Sequence, residues 1–244
     1  MSHLMNNYGR LPVSFDHGQG VWLWDKEGHK YLDALAGIAV NSVGHAHPRL
    51  VRAIADQASK LIHCSNYFNI DLQEQVAEKL VGHSGLEAVF FCNSGLEANE
   101  CAIKIARKFG HAKGIETPNI IVLKHAFHGR SIATLSATGN PSVREDFSPY
   151  TEGFIFVDES DLDGIRKIVE ENKNVVAIFF EPILGEGGVV PIDLSVIKGI
   201  REICDEHDLL MMCDEVQCGM GRSGKWFAHQ WAEIKPDVIT MAKG

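Results

Sequence analysis

The 244-residue sequence predicts an α/β protein, a mostly parallel sheet flanked by helices and preceded by a β-rich N-terminal segment. Three observations carry this. Six apolar runs of strand length recur along the chain: AVFFC (88–92), IIVLK (120–124), FIFV (154–157), VVAIFF (175–180), LLMMC (209–213) and VITMA (238–242). They are apolar throughout rather than alternating, the pattern of strands covered on both faces. Amphipathic stretches of helix length, at 95–110, 161–172 and 195–207, separate several of them, and strand–helix alternation implies a parallel sheet.

The N-terminal elements read differently. Residues 13–33, VSFDHGQGVWLWDKEGHKYLD, break into short strands, with DKEG as a hairpin turn in which Gly28 takes positive φ. Residues 34–47 are Gly-rich and irregular. A helix starts at Pro48, where proline suits the first turn. A second covers about Asp71 to Val81, with Asp71 as N-cap. No internal repeat or low-complexity linker interrupts the chain. One boundary is expected near residues 45–60, separating an N-terminal segment (1–50) from the α/β body (51–244).

Composition narrows the function. With 45% apolar and 23% charged residues the chain is an ordinary globular protein. Its net charge of -9 argues against a nucleic-acid partner, which needs a basic face. The six cysteines, Cys64, Cys92, Cys101, Cys204, Cys213 and Cys218, show no CxxC spacing and read as reduced thiols. The histidine pairs His45/His47 and His125/His128 lack a zinc pattern, and His125 and His128 are taken as structural. The opening MSHLMNNYGRLPV is too polar for a signal peptide, and no apolar stretch approaches the ~20 residues of a membrane span. The expected location is the cytoplasm, with no membrane partner.

In an open α/β sheet, ligands bind beyond the carboxyl ends of the strands. NSGLEANE follows the first run. Ser94 and Gly95 open a helix whose N–H groups and dipole attract an anion, or serve only as a cap. HAFHGR follows the second: Phe127, with almost no apolar neighbours, offers a stacking face, and Arg130 a bidentate grip on a carboxylate. EPILGEGG follows the fourth, with Glu181 at the strand end and Glu186 among glycines. DEVQCG follows the fifth. Asp214, leaving a buried run, needs a partner, and a pyridinium N–H is a suitable one. Gln217 is placed to reach a ring hydroxyl, whereas alternation points Glu215 the other way. KG follows the sixth, and Lys243, partly desolvated, has a lowered pKa and a nucleophilic amine. An acid for a ring nitrogen and an amine for an aldehyde are the minimum equipment for pyridoxal 5′-phosphate (PLP). Each group has a bland alternative, as cap, surface arginine, loop acid or exposed lysine; their convergence on strand ends is the stronger signal.

These segments, together with YGRLPV and GIAVNSVGHAHP, resemble the class III PLP-dependent aminotransferases of fold type I over essentially the whole chain, most of all the acetylornithine-type members. The resemblance implies the large domain of that fold, with the C-terminal small domain absent from this sequence and residues 1–50 contributing to the small domain and interface. It makes Lys243 the catalytic lysine that bonds the cofactor. It places Gly95 and Leu96 amides on the phosphate, Phe127 over the ring, Asp214 at the ring nitrogen, and Glu215, Val216 and Gln217 along the cofactor. It gives Arg130 the substrate α-carboxylate, and Glu186 the role of a switch that masks an arginine lying outside this sequence. It further implies amino-acid and 2-oxo-acid substrates, a homodimer, and transfer of the δ-amine of N-acetylornithine to 2-oxoglutarate. Three positions depart from the family pattern: Leu96 where threonine is usual, Leu184 for glutamine and Ser131 for threonine. Related ω-aminotransferases, a glutamate-1-semialdehyde-type aminomutase and a non-catalytic PLP-binding module remain as alternatives.

Overall fold

A computed structural model describes residues 3–244, which form two compact units, residues 3–68 and Asn69–Gly244. In the first, strands β1 (Phe15–Gln19), β2 (Trp22–Asp25) and β3 (Lys30–Leu32) make an antiparallel sheet in that order. The β2–β3 turn forms as its sequence predicts: Gly28 has φ 86°, and the buried Asp25 carboxylate accepts from the backbone N–H of Glu27 (3.0 Å) and His29 (2.8 Å) and from the Tyr31 hydroxyl (2.8 Å). A single irregular turn, α1 (Ala36–Ala39), follows, and α2 (Pro48–Ala58) starts at the expected proline.

In the second unit, helix α3 (Asp71–Ser84) is capped by Ile70, which has no side-chain bond to give. Asp71 is therefore the first helical residue rather than the N-cap. There it acts with Glu74 as negative charge on the positive end of the helix dipole. Helix α4 (Gly95–Ala112) is followed by β4 (Asn119–Leu123), the short helices α5 (Ile132–Ala137) and α6 (Pro141–Arg144), β5 (Phe154–Val157), α7 (Leu162–Glu171) and β6 (Val175–Phe180). A small hairpin, β7 (Ile183–Leu184) and β8 (Val190–Pro191), leads to α8 (Leu194–His207), β9 (Leu210–Asp214), a 3-10 turn at Ala228–Ala232 and β10 (Val238–Thr240).

The central sheet has the order β10-β9-β6-β4-β5, and every pairing in it is parallel. Alternation along each strand divides the core in two. Ile121, Leu123, Ile178, Phe180, Met211 and Cys213 pack with Ile165 and Val169 of α7 and Ile197, Ile200 and Ile203 of α8. Their neighbours Ile120, Val122, Val176, Phe179 and Met212 pack with Ala102, Ile103 and Ala106 of α4 on the opposite face. Burial on both faces is why these strands read as unbroken apolar runs.

The expected AVFFC strand does not form: residues 88–92 belong to no strand. They line a cleft of about 1220 Å³ shared with the β10 segment, and Phe90 is 70% exposed there. An apolar run becomes a strand only when a neighbour accepts its backbone hydrogen bonds.

Phe180 is fully buried between β6 and α8. Phe180→Ala is expected to cost about 3–5 kcal/mol, read as a lowered denaturant midpoint with an unchanged m-value.

Candidate functional site

Four of the five parallel strands lead into polar groups at their carboxyl ends. β9 ends in Asp214, 2% exposed. Its Oδ2 accepts from Asn99 Nδ2 (2.8 Å) and His128 Nδ1 (2.7 Å), and its Oδ1 accepts from the Val216 backbone N–H (3.0 Å). β10 pairs Thr240 with Asp214, and Lys243 follows just beyond its end, so the amine arises beside the adjacent strand. Lys243 Nζ donates to Gln217 Oε1, and Gln217 lies against the backbone of Gly185. The Lys243 backbone itself is left-handed, with φ 57°.

The start of α4 is held beside the same turn. Ser94 caps the helix by accepting from the Glu97 N–H (3.2 Å), and Glu97 reaches back to the N–H of Asn93. A Cβ at Gly95 would fall 2.6 Å from Val216 Cγ1 and 3.2 Å from Ala242 Cβ. Only glycine lets the helix start, the turn after β9 and the residue before Lys243 meet so closely. The Gly95 and Leu96 N–H groups belong to the first helical turn, which has no intrahelical acceptors.

The loops after β4 and β6 complete the arrangement. Buried Glu181 accepts from the backbone N–H of Phe127 (2.8 Å) and Gly185 (3.3 Å), tying the Phe127 loop to the loop that carries Glu186. Phe127 is half-buried; Arg130 is exposed, with its guanidinium carbon 6.0 Å from the Phe127 ring centre. Glu186 is exposed in the turn of the β7–β8 hairpin.

Charge links these groups. Burial pushes Glu181 up to about 8, and the negative charge of Asp214 adds to the rise. Desolvation lowers the Lys243 pKa against the opposing pull of Glu186, Asp214 and Glu181. The expected site residues Gly95, Leu96, Phe127, Asp214, Val216, Gln217 and Lys243 thus come from elements that meet at one edge of the sheet, with Glu186 near enough to act on Lys243. The Glu215 carboxylate is not among them. It is fully buried and accepts from the N–H groups of Ala228 and His229 (both 2.8 Å), so it holds the 3-10 turn.

Two residues had no part in the sequence reading of the site: Asn99, and His128, taken there only as structural. Both donate to Asp214, and their partners lie 115 and 86 positions away. Asn99 does carry a signal, since it shares the buried face of α4 with Ala102, Ile103 and Ala106 at helical spacing. His128 carries none.

Comparison with known proteins matches this arrangement to a family. Residues 4–244 match the model of the class-III aminotransferases, and the chain belongs to that family. It is 54% identical to the acetylornithine aminotransferase of Nitrosomonas europaea over 244 residues, which are 100% of this chain and 62% of that protein. Among solved structures, N-acetylornithine aminotransferase from Stenotrophomonas maltophilia K279a is 39% identical with a TM-score of 0.83, over 97% of this chain and 59% of that one. An ornithine aminotransferase from Toxoplasma gondii, with PLP at partial occupancy in its active site, is 33% identical with a TM-score of 0.91, over 97% and 56%. The chain spans less than two thirds of the length of each of these relatives.

Enzymes of this family use PLP. The residues here fit it: Asp214 Oδ1 has one hydrogen bond and can take another, the helix start offers N–H groups for a phosphate, and Lys243 follows the end of the next strand. Among the described residues no cluster of three or more His, Cys, Asp or Glu could hold a metal, and no helix is long and apolar enough to cross a membrane.

Because Glu181 is raised from 4.5 to about 8, the folded state holds a proton that the unfolded chain releases between those values. Stability therefore falls as pH rises from about 4.5 to about 8, by up to roughly 5 kcal/mol from this group. Glu181→Gln, neutral throughout, is expected to flatten that part of a stability-against-pH curve measured by chemical denaturation.

Proposed function

We propose that the chain carries the cofactor-binding machinery of a PLP-dependent aminotransferase that moves the δ-amino group of N-acetylornithine to 2-oxoglutarate. The observation that carries this reading is the pair of neighbouring strand ends, a buried Asp214 held by donors from two other segments and a half-buried Lys243 of lowered pKa. The choice of amino donor rests on the acetylornithine aminotransferases among its relatives.

In this reading Asp214 accepts the cofactor's ring N–H and keeps that nitrogen protonated. The Gly95 and Leu96 N–H groups take the phosphate at the start of α4, and Val216 packs beneath that helix start. Phe127 covers one ring face, and Gln217 meets the ring oxygen. Bound there, PLP supplies an electron sink for the substrate carbanion. Lys243 would attach the cofactor and, with its amine free, would take the proton from the substrate carbon and return it as general acid. Its lowered pKa suits that double task. Arg130, exposed beside Phe127, grips a substrate carboxylate, and Glu186 balances charge near the amine. Leu96, in place of the usual threonine, contributes its amide but no hydroxyl. Residues 1–50 are assigned to the small domain and interface, and residues 51–244 to the large domain, of a cytoplasmic homodimer. Exposed Leu11, Leu32, Ile62 and Tyr67 supply apolar surface for that interface.

Lys243→Ala in the full-length protein is expected to remove the absorption band of covalently attached cofactor and to lower turnover by at least ~10²–10⁴-fold, the share of acid–base catalysis alone. Survival of both would refute the assignment. A panel of donors with 2-oxoglutarate as acceptor tests the substrate: N-acetylornithine is expected to give the highest kcat/KM. Ornithine, succinylornithine or 4-aminobutyrate leading instead would move the enzyme to another ω-aminotransferase. Turnover without any 2-oxo acid would make it an aminomutase.

A further inference from the structure

The two oxygens of Asp214 are used unequally. Oδ2 accepts both Asn99 Nδ2 (2.8 Å) and His128 Nδ1 (2.7 Å); Oδ1 accepts the Val216 N–H (3.0 Å). A carboxylate oxygen offers two lone-pair sites, so Oδ2 is full and Oδ1 keeps one.

The donors are themselves fixed. Asn99 Nδ2 gives its second hydrogen to the His128 carbonyl (2.7 Å), so both amide hydrogens are committed and the amide orientation is set. Turning the amide over would face its oxygen to two acceptors. The His128 backbone N–H donates to Thr138 Oγ1 (3.0 Å), and that hydroxyl donates to the Thr134 carbonyl (2.9 Å). The imidazole lies flat against Phe179 of β6, with ring centres 4.1 Å apart and planes 17° apart. Facing a carboxylate, Nδ1 carries the hydrogen. Buried Nε2 has no hydrogen-bond partner, so Nδ1 makes the ring's one side-chain hydrogen bond. The stack, the Thr138 bond and the Asn99 bridge leave His128 one direction in which to donate.

We infer that Asn99 and His128 are positioning residues that saturate Oδ2 of Asp214, leave the remaining lone pair of Oδ1 for the cofactor's ring N–H, and so hold the shared proton on the ring nitrogen. This rests on the cofactor reading proposed above and deepens it. Two N–H donors on one oxygen stabilise the carboxylate as an anion. Without them only the Val216 N–H is left to orient the carboxylate.

The test uses full-length protein reconstituted with PLP carrying ¹⁵N at the ring nitrogen. The readouts are the ¹⁵N chemical shift, the dissociation constant for PLP and the thermal midpoint. His128→Phe keeps a flat ring against Phe179 and removes the donor; His128→Gln restores an N–H. Wild type is expected to show a protonated ring nitrogen. His128→Phe should move the shift toward neutral pyridine and weaken PLP binding about tenfold, as loss of a hydrogen bond to a charged group does. His128→Gln should recover much of both. An unchanged shift and affinity in His128→Phe would overturn the inference, as would equal losses in the Phe and Gln variants. If His128→Phe fails to fold, Asn99→Ala decides: the shift must move the same way, and an unmoved shift overturns the inference. Wild type that takes up no PLP would overturn the cofactor reading itself, whereas loaded wild type with insensitive variants overturns only this inference.

Discussion

A carboxylate that is 2% exposed is one of the most costly groups a small domain can carry, and Asp214 sits at the end of the strand run LMMCD with that burial. Its position is tolerable only because three separate segments bring N–H groups to it: α4 through Asn99, the loop after β4 through His128, and its own turn through Val216. Each donor needs its segment correctly placed. The carboxylate therefore acts as a test of assembly: sheet, helix and loop must be in register before it is satisfied. A site built on such a group is held by the fold as a whole rather than by a flexible loop.

The neighbouring acid shows how strand geometry separates two similar residues. Asp214 and Glu215 are adjacent, both buried, yet their side chains leave the strand end in opposite directions. Asp214 turns to the α4 side. Glu215 turns to the 3-10 turn and is satisfied by two backbone N–H groups, the His229 ring and the Cys218 thiol. Its backbone N–H meanwhile donates to the Thr240 carbonyl (2.8 Å), binding the end of β9 to β10. One acid faces the site, and the other fixes the turn beneath it. The same backbone bond sets how far apart the Asp214 and Lys243 strands run, so Glu215 shapes the site without entering it.

Much of this was legible in the sequence, and the reasons are physical. Five of the six apolar runs became the five parallel strands because burial on both faces leaves an unbroken hydrophobic signature. AVFFC has the same signature and no strand, because composition reports burial tendency and not the presence of a hydrogen-bonding neighbour. Asp71 has the chemistry of a cap but lies one residue inside its helix, a shift that local pattern does not resolve. Strand-end residues were legible because a parallel sheet directs its carboxyl ends to one edge. Asn99 and His128 were not, since their roles depend on a contact across more than eighty residues and on an imidazole stack with Phe179. A polar residue on the apolar face of α4 was the one trace such a contact left.

The remaining electrostatics follow from crowding. Glu181, Asp214 and Glu186 all act on Lys243, so one amine faces three carboxyl groups in a partly desolvated space. Three ionised acids there would leave a large uncompensated negative charge. The site relieves it by keeping a proton on Glu181, whose pKa burial and Asp214 raise to about 8. Lys243 moves the other way, because desolvation disfavours its charged form more than the acids favour it. The ordinary values of these two groups, 4.5 and 10.5, differ by 6.0, and both shifts narrow that gap. The burial that makes Asp214 expensive thus reaches Lys243 as well, where it lowers the amine's pKa.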